Sequence, residues 1–85
     1  MDKVVDFKDI TNNYIRHGKP NYIFINKEDN DLLETLLPDF YDKAVLNKSW
    51  ATGKLGVLHG VPVLPGVVSE KQAKLCWGVA QLVER

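Results

Sequence analysis

The run Gly53–Gly66, GKLGVLHGVPVLPG, sets four glycines and two prolines among valines and leucines, and glycine-rich runs are one way a chain holds phosphate. A P-loop requires G-x-x-x-x-G-K-[ST], because ringed backbone N–H groups must precede the lysine and hydroxyl that complete the site. Here Gly53-Lys54 is followed by Leu55, and the position of the first glycine is Lys48. The order fails. Gly53-Lys54-Leu55-Gly56 also matches the bare GxxG that clamps a nucleic-acid backbone in KH domains. That loop joins two helices, whereas this one runs into VLHGVPVL, a β-prone stretch.

Acid–base chemistry needs carboxylates that converge in a cleft. Glu28, Asp29, Asp31 and Glu34 lie opposite the leucines of one amphipathic segment, so they read as a solvated face, and Asp39 and Asp42 read as helix-start charges. His17 and His59 are the two histidines, and Ser49, Ser69 and Cys76 have no evident partner for nucleophilic work. Cys76, between Leu75 and Trp77, reads as a small core residue. One cysteine and two distant histidines supply no zinc spacing. The expectation is no enzyme, no metal and no cofactor.

Trp50 stands in a polar stretch, where a tryptophan either lids the core or anchors a partner surface. Lys48 and Lys54 flank it. Together with His59 they are the candidate protein-contact residues: Lys48, Trp50, Lys54 and His59.

Eleven basic side chains balance eleven acidic ones, which removes the broad positive field of a nucleic-acid or anionic-membrane binder. The opening MDKVVDFKDI has too short an apolar stretch for a signal peptide, and no run approaches the roughly 20 apolar residues that span a bilayer. A soluble, intracellular chain of one domain, 1–85, is expected, with a protein partner and no nucleic acid, membrane or small-molecule substrate.

The elements that must position these residues follow from periodicity. Phe7, Ile10, Tyr14 and Ile15 predict a helix over 6–17, with Asp6 as its cap and Gly18 as its end. NYIFIN, 21–26, reads as a strand buried on both faces. Asn26 is placed to cap a helix whose Leu32, Leu33, Leu36 and Leu37 recur at helical spacing. Pro38 breaks it, and a short helix over 38–47 is expected to turn Phe40, Tyr41, Ala44 and Val45 inward. Residues 48–54 read as a loop or hairpin tip. In the glycine-rich run, Gly53 and Gly56 are expected to shape a turn, Gly60 to admit a close approach or bulge, and Pro62 to place VPVL at a sheet edge. A strand is expected over 73–85, with a helix over 70–84 as its competitor. The sum is an α+β domain, a small mixed sheet covered by two or three helices.

Two stretches carry a resemblance. KPNYIFINKEDNDLLETL, 19–36, resembles the region of tailed-phage major capsid proteins, the fold shared with encapsulins, where an apolar strand ends in Asn and a helix begins at once. TGKLGVLHGVPVLPGVVSEKQAKLCWG, 52–78, resembles the next region of those capsid proteins: a G-x-L-G-x-L-x-G-[VI]-P-V run, a short connection, then a strand of small and apolar residues ending in Gly. The resemblance covers roughly 8–85 and implies the axial domain, which makes subunit contacts around five-fold or six-fold axes without catalysis. The spine helix, extended loop and N-terminal arm of a whole capsid protein have no counterpart in it. The implied role is protein contact in a virion or its assembly. The competing role is a small phage protein that binds a host protein, inhibiting or triggering a process such as a defence system. The implied location is the virion or the host cytoplasm.

Overall fold

Tyr22-Ile-Phe-Ile25, the most β-prone stretch of the chain, forms the middle of the sheet. In the computed structural model, which describes residues 2–43 and 54–78, β2 (Tyr22–Ile25) lies between β5 (Val61–Pro65), to which it is parallel, and β6 (Gln72–Cys76), to which it is antiparallel. β1 (Asp2–Asp6) pairs with β6, β4 (Gly56–Leu58) with β5, and β3 (Tyr41–Asp42) with β4, all antiparallel. The result is a six-stranded mixed sheet in the order β1-β6-β2-β5-β4-β3. Helices α1 (Ile10–His17) and α2 (Asn30–Leu36) are each entered through a 3-10 turn, Phe7–Asp9 and Lys27–Asp29. This is the expected α+β class.

Register sets Ile23 between Val63 and Leu75, and Ile25 opposite Ala73. All five are completely buried, and Phe7, Ile10, Tyr14 and Leu33 pack on them from the helical layer. Burying an aliphatic side chain of this size contributes roughly 1.5–3 kcal/mol, so this layer dominates stability. The alternate residues Tyr22, Phe24, Pro62, Leu64 and Lys74 are half-buried on the other face. β2 is therefore buried on one face, not both, because the two described helices share a side of the sheet.

Several sequence expectations give way to tertiary pairing. The N-terminal Lys3-Val4-Val5, assigned no element, forms β1, whose one inward residue, Val5, makes too faint an alternation to recognise. Asp6 closes β1 rather than capping a helix; its carboxylate accepts from Gln72 Nε2 at 3.2 Å. Gly18 does end α1, at φ +81, with its N–H on the Tyr14 carbonyl at 2.8 Å. The helix expected over 38–47 is absent from its described part: 38–40 is a turn, and Tyr41–Asp42 pairs with Leu58 and Val57. Ala44, Val45 and residues 48–53 of the expected loop 48–54 lie outside the described residues.

Pro62 is not at an edge. β5 has strands on both sides, and proline is accommodated because the parallel ladder to β2 begins only at Val63. Against β4 it faces Val57, one step from the Leu58–Val61 pair that closes the hairpin, where antiparallel pairs exchange no hydrogen bonds. Gly56 shapes no turn either. It lies in β4 beneath Tyr41, and a Cβ there would fall 2.6 Å from the ring carbons. The last described strand is β6, so 72–76 is not helical; 79–85 lie outside the described residues.

Candidate protein-contact surface

The β4–β5 hairpin turns on two residues, His59 (φ +53) and Gly60 (φ +92). Positive φ at both positions is the type I′ turn, whose twist matches that of paired strands. Glycine adopts this freely and histidine is among the few side chains that tolerate it. Hairpin geometry thus fixes His59 at an exposed tip.

There the His59 N–H donates to the Phe40 carbonyl at 2.6 Å. Its ring stacks on Phe40, centroids 4.5 Å apart and planes 12° from parallel. Phe40 packs in turn on Tyr14 of α1 at 5.2 Å and 52°, and the Tyr14 hydroxyl donates to the Leu58 carbonyl at 2.9 Å. Helix, turn and hairpin are tied into one aromatic ridge. Burial pushes the Tyr14 hydroxyl well above the ordinary tyrosine range. Beside the ridge lies a shallow groove of about 390 Å³, lined by Thr11, Ile15 and Lys19 as well as the three aromatic rings. Ile15 is 78% exposed, an apolar side chain presented to solvent rather than used in the core.

Of the four candidate residues, the two described ones, Lys54 and His59, do not come together. Lys54 is exposed just ahead of β4, about 16 Å from His59 along the strand at ~3.3 Å per residue. Lys48 and Trp50 lie outside the described residues. Of the carboxylates, Asp31 and Glu34 are on the solvated face as expected, paired with Lys43 at 2.8 and 3.2 Å. Asp29 differs, because its Oδ2 accepts from the Lys71 N–H and from Asn26 Nδ2, both at 3.2 Å.

The N-cap position of α2 is Asp29, and Asn26 itself makes no side-chain cap on the 3-10 turn that leads into the helix. Its amide donates to the Val68 carbonyl at 2.6 Å and accepts from the Val68 N–H at 3.0 Å, clamping the β5–β6 connection against the end of β2. Sequence reading missed this because Asn after a strand and before a helix suits a cap equally well. Cys76 is buried; burial, reinforced by the Asp2 carboxylate, pushes its thiol upward and disfavours the thiolate. Trp77 donates its indole N–H to the Gly18 carbonyl at 3.0 Å and meets His17 edge-on at 5.8 Å. Among the described residues no three His, Cys, Asp or Glu side chains group as metal ligands, and no helix is long and apolar enough to cross a membrane.

No family model, no curated protein and no solved structure matches the chain.

Proposed function

We propose that this chain is a non-enzymatic, phage-type protein related to the capsid axial domain, acting through protein–protein contacts in a virion or its assembly. The observation that carries the reading is the way the two resembling stretches meet in the sheet. The apolar strand ending in Asn26, the strand bearing Val61-Pro62-Val63 and the strand Gln72–Cys76 are adjacent, in the order β6-β2-β5. Asn26 clamps the connection between the last two. The strands of the two resembling stretches thus lie side by side in one sheet, and this adjacency is what the reading builds on. The exposed His59 tip, stacked on half-buried Phe40 and flanked by exposed Ile15, supplies a surface for contact.

Size-exclusion chromatography with light scattering tests the reading, which expects species larger than the 9.6 kDa monomer. A stable monomer that captures one host protein would instead favour the second role, a phage protein directed at a host process, with the exposed Ile15 groove as its docking surface.

A further inference from the structure

The Phe40–His59 stack is a wall between two grooves of opposite charge. On the α1 side, Lys19 is the charged residue of the groove and no carboxylate lines it. On the β3 side, a groove of about 430 Å³ is lined by Asp39 and Asp42 and by no lysine or arginine. Among the described residues Lys19, Asp39 and Asp42 have no ion-pair partner, although nearby Lys43 is paired twice. Ile15, largely exposed, completes the apolar part.

We propose that this ridge is the two-fold contact between two copies of the chain. The inference deepens the reading of the protein as a contact module by naming its partner as a second copy. A two-fold axis along the wall sets wall against wall and lays the cationic groove of each copy over the acidic groove of the other. The same patch then serves both subunits, as an isologous interface requires. Charge complementarity sets orientation and register. Ile15 and Phe40 supply the apolar area that drives association. A single heterologous contact engages one groove of each copy and leaves the other for a further copy, whereas the two-fold contact engages both at once, because both grooves flank the same Phe40–His59 wall.

Sedimentation velocity over a concentration series tests this with the intact protein and two charge reversals, Lys19→Glu and the double variant Asp39→Lys/Asp42→Lys. Both alter exposed side chains, and circular dichroism checks the fold. The expected result is a dimer weakened about tenfold or more by either reversal alone, and weakened as salt rises from about 50 to about 500 mM. Mixing the two variants in equal amounts restores it, because each then meets the opposite charge at both grooves. Ile15→Ser weakens the dimer without reversing any charge. Assemblies that ignore both reversals would overturn the two-fold ridge while leaving self-association in place. A monomer at every concentration would overturn the ridge and the self-assembly role together.

Discussion

Backbone conformation and close approach, rather than polarity, decide which single residues matter in the hairpin. Gly60 has room for a Cβ, the nearest group being Lys19 Nζ at 3.7 Å, but its φ of +92 is strained for any L side chain. Left-handed backbone costs an ordinary residue roughly 1–2 kcal/mol. Gly60→Val, with its branched Cβ, is expected to destabilise by at least that much in urea denaturation and Gly60→Asn by clearly less. Equal loss in both would remove the conformational account. Gly56 presents the opposite case, where space is the constraint. Its missing Cβ makes room for the Tyr41 ring, whose hydroxyl bonds Asn30 and the Leu55 carbonyl. Overpacking typically costs about 1–3 kcal/mol. Gly56→Ala should fall in that range, and combined with Tyr41→Ser it should cost less than the two single changes added together. Strict additivity would mean that the ring does not press on this backbone.

Among the elements, the connection between β5 and β6 depends on one side chain of β2's end. Asn26 exchanges two hydrogen bonds with Val68, each worth about 1 kcal/mol net and more when a buried partner is stranded. Asn26→Ala is therefore expected to lower stability by about 2–3 kcal/mol. Asn26→Asp should lose the donated bond and set a carboxylate against the Val68 carbonyl. Hydrogen exchange at Val68 reads the local effect directly; unchanged protection in Asn26→Ala would contradict the clamp. What the sequence made legible at this scale were elements with strong local signals: the leucine spacing of α2, the Gly18 stop and the β-branched stretch of β2. Elements that exist only through pairing stayed hidden. Tyr41–Asp42 is a strand because Leu58 and Val57 lie beside it, and β1 because β6 does. Pro62 misled for the same reason, since its missing N–H matters only relative to neighbours whose register local sequence does not encode. At the candidate site, the sequence marks His59 as a contact residue, but it points to a turn at Gly53 and Gly56 and to a close approach or bulge at Gly60, which is instead the second residue of the turn with His59. The Phe40 and Tyr14 rings that support it come from other elements and were read only as inward-facing residues.

For the whole molecule, two buried tyrosines join helix and sheet, and this gives the fold an alkaline limit. Burial, the largest cause, pushes Tyr41 from the ordinary 10.0 up to about 12, and Tyr14 is shifted in the same direction by burial. A folded-state pKa above the unfolded one contributes stability that is fully present below pH 10 and is lost as pH rises through about 12. Urea midpoints should fall across that window, and Tyr41→Phe should flatten the fall; a midpoint independent of pH there would show that these hydroxyls ionise as freely folded as unfolded. The larger claim concerns what the assembled surface is for. Stability resides in one layer of Ile23, Ile25, Val63, Leu75 and Leu33, while His59 and Ile15 face solvent and oppositely charged grooves flank the Phe40–His59 stack. The measurement that tests this account most directly is the mass of the protein in solution as a function of concentration. Light scattering should give a mass rising above 9.6 kDa as the protein is concentrated at low salt. A mass that stays at that of one chain at every concentration would contradict it.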